Sequence, residues 1–123
     1  MGLSAPPPPP PTWATVEGKP TTIAGFGITD AFGVGQSWQD VTSSRSVNTT
    51  YTNSTGKPIT VCFACGDTAG QVVNIRVDGL FVTRSGQYPG QGNGSHSATF
   101  IVPNGSIYRF EGSFPNGGIR ELR

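Results

Sequence analysis

The sequence predicts an all-β protein built as a small antiparallel β-sandwich. Three observations carry that prediction. Val, Ile and Thr together number 31, whereas the good helix formers (Ala, Leu, Glu, Lys, Gln, Arg, Met) total only 27 in 123 residues. Gly and Pro add 29 residues that interrupt every apolar stretch. Short runs of alternating apolar and polar residues recur at the spacing of a sandwich or barrel. No connection is long and helical enough for a parallel βαβ unit.

Three segments follow from composition. Residues 1–12 form a proline-rich tether, because Pro6 to Pro11 are six consecutive prolines and such a run is a stiff polyproline II rod. Residues 13–34 are an irregular segment. They hold Trp13, Ile23, Phe26, Ile28 and Phe32, but Gly18, Pro20, Gly25, Gly27 and Gly33 break each candidate element. So short and interrupted a segment has no core of its own, which suggests burial against another chain. Residues 35–123 are the β-sandwich head.

Within the head, residues 35–45 read as extended around Trp38 and Val41, and 47–53 as a strand. Residues 54–57 are a turn. From Pro58 to Cys65 the alternation puts Ile59, Val61, Phe63 and Cys65 on one face. Residues 66–70 are a loop. From Gln71 to Val77, Val73, Ile75 and Val77 share a face. Asp78-Gly79 is a strong hairpin signal, and Leu80 to Arg84 is the returning strand. Residues 85–97 read as a long Gly-rich loop. Strands 98–102 and 107–112 flank residues 103–106, expected as a second hairpin. Ile119 to Arg123 is a last short strand.

Charge excludes several functions. Eight basic against seven acidic residues give +1. The basic residues are scattered singly, so nothing tracks a phosphate backbone and no nucleic-acid partner is expected. No run reaches a membrane span of about 20 apolar residues. The first five residues lack the basic and apolar regions of a secretory signal.

The reactive residues are few. Cys62 and Cys65 have the Cys-x-x-Cys spacing, but i and i+3 on a strand face opposite sides, roughly 10 Å apart. A disulfide needs Cα atoms within about 7 Å, so two free thiols are expected. His96 is the only histidine, so a Ser-His-Asp triad or zinc site lacks members. Asp40, Asp67, Glu111 and Glu121 are the acids available for a glycosidase pair, and nothing in their spacing argues for one. No catalytic residue, metal ligand or cofactor is expected. The Asn-x-Ser/Thr strings at Asn48, Asn53, Asn93 and Asn104 read as turn and strand chemistry.

Residues 18–31, Gly-Lys-Pro-Thr-Thr-Ile-Ala-Gly-Phe-Gly-Ile-Thr-Asp-Ala, resemble a repeat of tailed-bacteriophage tail fibres. Residues 33–42, 49–53, 56–59, 77–79 and 100–103 resemble the C-terminal domain of such fibres. The repeat occurs once, without a long shaft or a recognisable virion-attachment domain. The resemblance implies a homotrimeric fibre tip on the virion, made in the host bacterial cytoplasm, with residues 13–34 as its stalk. Its head would adhere to a bacterial surface glycan or outer-membrane protein, and its N-terminal segment would meet other tail proteins. The residues expected to touch the receptor lie in the Gly-rich loop: Gln87, Tyr88, Gln91, Asn93 and His96, one stacking group among planar hydrogen-bonding groups. Three copies of His96 around an axis would be the one route to a metal, but flanking Ser95 and Ser97 lack the second histidine of iron-binding fibre motifs. A tail connector or trimerisation cap is the alternative role, and a small surface-glycan hydrolase a third.

Overall fold

A computed structural model describes residues 5–65, 70–87, 89–90 and 94–123. It is all-β, as expected. Among the described residues, eight strands form two antiparallel four-stranded sheets. They are β1 (Trp38–Asp40), β2 (Thr50–Thr52), β3 (Ile59–Cys65), β4 (Val72–Val77), β5 (Leu80–Gly86), β6 (His96–Val102), β7 (Ile107–Gly112) and β8 (Ile119–Leu122). One sheet has the order β1-β8-β3-β6, the other β2-β7-β4-β5.

The core follows from the period-2 alternation. Ile59, Val61, Phe63 and Cys65 of β3 are buried, as are Val73, Ile75 and Val77 of β4. Phe100, Val102, Tyr108, Phe110 and Ile119 complete the space between the sheets. Phe63, Phe100, Tyr108 and Phe110 meet edge-on or tilted, with ring centroids 5.7–6.3 Å apart, the arrangement that aromatic quadrupoles favour. Cys62 and Cys65 are both free thiols. Burial raises the Cys65 pKa, partly opposed by the Ser85 side chain; the thiol itself donates to the Ser85 carbonyl at 3.7 Å.

The Asp78-Gly79 turn forms as predicted, with φ of +51° and +80°. Two expectations fail. Residues 103–106 are not a hairpin, because β6 pairs with β3 in one sheet and β7 with β2 and β4 in the other. The turn is a corner that carries the chain across the sandwich. The Gly-rich loop is also shorter than 85–97: Ser85 and Gly86 continue β5, and His96 and Ser97 begin β6. Gly86 can pair there because it lacks a side chain. At φ +125° a Cβ would lie 1.9 Å from the Gln71 carbonyl oxygen.

The register fixes which parts share an end of the sandwich. Residues 33–37 join at one end, where the Gln36 side chain donates to the carbonyls of Pro58 and Leu122 at 2.8 and 3.3 Å. Lys57 Nζ donates to the Val34 carbonyl at the same end. The turns at 54–57, 78–79 and 103–106 also lie there. The connections β3–β4, β5–β6 and β7–β8 leave from the other end, where Cys65 faces His96, Val72 faces Gly86 and Val73 faces Gly112.

Candidate functional site

Three regions carry functional interest: the stalk segment, the far end of the sandwich and the outer faces of the sheets.

In the stalk, residues 13–15 and 24–26 form short 3-10 turns. Trp13 stacks on Phe26 with centroids 5.8 Å apart, and Lys19 Nζ sits 5.3 Å from the Trp13 ring centre. Two glycines of residues 18–31 have a physical reason here. A Cβ at Gly25 would lie 2.8 Å from Pro20 Cβ, so only glycine lets the chain fold back on the proline. Gly27, at φ +76°, terminates the second turn. The segment still leaves its apolar groups wet. Trp13, Ile23, Phe26, Ile28 and Phe32 are 46–62% exposed, and no core residue of the head comes from this segment.

At the far end, two of the five expected receptor-contact residues are described. Gln87 is 4% exposed, against its expected role. Its backbone N–H donates to the Gln71 carbonyl at 2.9 Å, closing the base of the loop. The side chain lies beneath Gly94, where a Cβ would meet its Nε2 at 3.3 Å and His96 Nε2 at 3.8 Å. His96 is exposed but is a strand residue, paired with Cys65 at the rim, rather than a loop residue. The structure thus brings Gln87 and His96 together around Gly94. Tyr88, Gln91 and Asn93 lie outside the described residues. Among the described residues no group of His, Cys, Asp and Glu could hold a metal.

The acids occupy three different settings. Asp40 bonds Thr42 and Arg120 on the surface, and the Thr42 hydrogen bonds lower its pKa. Asp67 lies outside the described residues. Glu121 is completely buried. Its Oε1 accepts from Arg45 Nε at 2.9 Å and the Tyr108 hydroxyl at 2.6 Å; Oε2 accepts from Arg45 Nη2 at 2.8 Å and Arg123 Nη1 at 2.9 Å. Burial raises the Tyr108 pKa, and the neighbouring carboxylate adds to the shift. Burial, the largest single influence, would lower the Arg45 pKa, but the hydrogen bonds and charges of Glu121 and Tyr108 together outweigh it and raise the value. Arg45 also lies 4.7 Å from the Tyr51 ring centre. This network ties the segment before β2 to β7, β8 and the C-terminus. It was not foreseen, since its two principal partners lie 76 residues apart.

Glu111 occupies the third setting, on the outer face of the β2-β7-β4-β5 sheet. Tyr108 and Phe110 point inward, so Ile107, Arg109 and Glu111 point outward with Thr50, Asn74 and Arg76. Glu111 Oε1 is 3.0 Å from Arg76 Nε and 3.6 Å from Arg109 Nε. Beside this trio lies a shallow groove of about 120 Å³, lined by Thr50, Arg76, Gly79, Ile107, Tyr108 and Arg109. The outer face of the other sheet differs. Trp38, Leu122, Thr60 and Ile101 align across it through their pairings, and Trp38 and Ile101 are each 57% exposed. That apolar row lies near the end where residues 33–37 join.

Fold and surfaces together define a two-sheet antiparallel β-sandwich preceded by an irregular segment with exposed apolar side chains. No protein-family model, curated protein or solved structure matches the chain.

Proposed function

We propose that the chain is the receptor-binding tip of a phage tail fibre, a homotrimer that adheres without covalent chemistry to a bacterial surface glycan or outer-membrane protein. The observation that carries this reading is the polarity of the head. The stalk joins one end of the sandwich and the loop connections leave from the other. A head mounted this way presents its loops outward along the fibre axis. The fibre-like motif of residues 18–31 supports the reading, as do the half-exposed apolar side chains on either side of it. Packing three stalks would bury those groups, and the Trp38–Ile101 row extends the same apolar surface onto the head. Three copies would also raise avidity through effective concentration.

The burial of Gln87 favours a second reading, a trimeric connector or cap whose loop end meets no receptor. One pair of measurements tests both. Light scattering on a sizing column should give the mass of three 12.8 kDa chains; a monomer refutes the fibre reading. Fluorescently labelled protein should then bind host cells and lose binding when residues 87–95 are replaced by a short Gly-Ser linker. Trimeric protein that binds no cells leaves the connector.

A further inference from the structure

The outer face of the β2-β7-β4-β5 sheet has the chemistry of a ligand site distinct from the loop end. Arg76 and Arg109 share one carboxylate, Glu111, so the trio keeps one net positive charge. The contacts also orient the guanidinium groups. Among the described residues Arg76 uses Nε on Glu111 and Nη1 on the Gly79 carbonyl at 3.1 Å, which leaves Nη2 for a ligand. Arg109 makes one long ion pair through Nε among the described residues, which leaves both Nη groups. Their side chains are 43% and 38% exposed. Two partly anchored forks beside a groove suit a planar carboxylate, which arginine binds in a bidentate manner.

The surroundings select a saccharide over a simple anion. Phe81 pairs with Arg76 across the β4–β5 ladder, on the same outward face, and is 54% exposed. It offers an apolar platform for the C–H face of a sugar ring. Ile107 gives a second apolar wall, and Thr50 a hydroxyl. The groove, at about 120 Å³, is far smaller than the roughly 300 Å³ at which drug-sized ligand pockets begin. It suits the acidic edge of a chain lying across the surface, with each contact weak and repeated in each copy.

We infer that this face binds an acidic surface polysaccharide through its uronate carboxylates, held by Arg76 and Arg109 with Phe81 beneath the ring. The inference rests on the adhesion reading and names its ligand class.

The test is titration of the full chain with tetragalacturonate, followed by calorimetry and by amide chemical shifts, against a neutral tetrasaccharide and inorganic phosphate. The acidic tetrasaccharide should bind at least tenfold more tightly than the neutral one, shift the amides of β4, β5 and β7, and weaken as salt rises. Arg109→Gln and Arg76→Gln should each lose at least fivefold, and Phe81→Ala a similar amount, with unchanged circular dichroism. Equal binding of acidic and neutral sugars, no binding of either, or unchanged affinity in the arginine variants would overturn the proposal. Phosphate matching tetragalacturonate would also overturn it, because the face would then bind anions without reading a sugar. Cell adhesion of the same variants separates the two readings. Intact adhesion by Arg76→Gln/Arg109→Gln protein refutes this face as the receptor site but spares the adhesin; absent adhesion by the unmodified trimer refutes the adhesin itself.

Discussion

Removing the Glu121 carboxylate should destabilise the head more than any other single charge change. In Glu121→Ala, Arg45 loses both of its short bonds to the acid while its side chain stays 11% exposed. The Tyr108 hydroxyl loses its acceptor in the core. Breaking a buried pair by removing one partner costs about 3–5 kcal/mol, chiefly through the uncompensated charge left behind. For a domain of this size, about 4 °C is lost per kcal/mol at the low end, so the melting temperature should fall by at least about 12 °C. The assay is urea or thermal unfolding at fixed protein concentration, because oligomerisation would make the midpoint concentration-dependent. Arg45→Met alone should also destabilise. The double variant Glu121→Leu/Arg45→Met should lose less than the sum of its singles, by about 0.5–3 kcal/mol. A loss below about 1 kcal/mol in Glu121→Ala would refute the reasoning, since it would mean that water reaches the carboxylate.

Four further outcomes follow from individual contacts. Gly25→Ala should leave the melting of the head unchanged but disturb assembly, seen as a lower mass by light scattering, because the added Cβ would meet Pro20 Cβ at 2.8 Å. Gly86→Ala should abolish folding of the head by circular dichroism, because its Cβ would sit 1.9 Å from a backbone oxygen that cannot move aside. Asn53→Ala should cost about 2–4 kcal/mol in urea unfolding: Asn53 is 1% exposed, and its Nδ2 donates to the carbonyls of Lys57, Val102 and Pro103, which lose a shared buried donor. Asp78→Asn isolates a charge effect, since asparagine also tolerates positive φ. The Ser106 hydrogen bond, with the Ile107 N–H, holds the Asp78 pKa below 3.8 in the folded chain, so its contribution is present above about pH 4 and lost as pH falls through the depressed value. The stability gap between the two proteins should therefore close in acid, and a gap that widens there would reverse the assignment.

What the sequence made legible was local. The Ile59–Cys65 alternation and the Asp78-Gly79 turn each state their structure within a few residues, and both form as read. The misses all needed the partner strand. Pro103-Asn104-Gly105-Ser106 has turn chemistry, but the same residues serve a hairpin or a corner between sheets, and only the pairing of β6 with β3 decides. Ser85-Gly86 and His96-Ser97 are polar or small and carry no β signal, yet they extend strands because Val72 and Cys65 stand opposite. Gln87 read as a surface residue by type, and its burial comes from the closing bond to Gln71 and the chain around Gly94. Arg45 and Glu121 could not be paired by spacing. The Arg76–Arg109–Glu111 face was equally hidden, since Arg76 joins the Arg109–Glu111 pair of β7 only when β7 lies beside β4.

The two sheets divide the surface in a way that bears on how assembly and recognition could coexist. The β1-β8-β3-β6 sheet presents Trp38 and Ile101 near the end where residues 33–37 join. The β2-β7-β4-β5 sheet presents Arg76, Arg109 and Glu111. Burying the second face between copies would desolvate two guanidinium groups for one carboxylate, which is unfavourable unless a further acid compensates. Burying the Trp38–Ile101 row of the first would remove mainly apolar area, at roughly 25 cal/mol per Å² gained, and the charges on that face, Asp40 and Arg120, already pair with each other. Association should therefore run through the first face and leave the arginine face in water. Trp38→Lys tests this division: the mass should fall while the affinity of each chain for tetragalacturonate is kept. Loss of sugar affinity with the trimer intact would place the two functions on one surface and remove the argument.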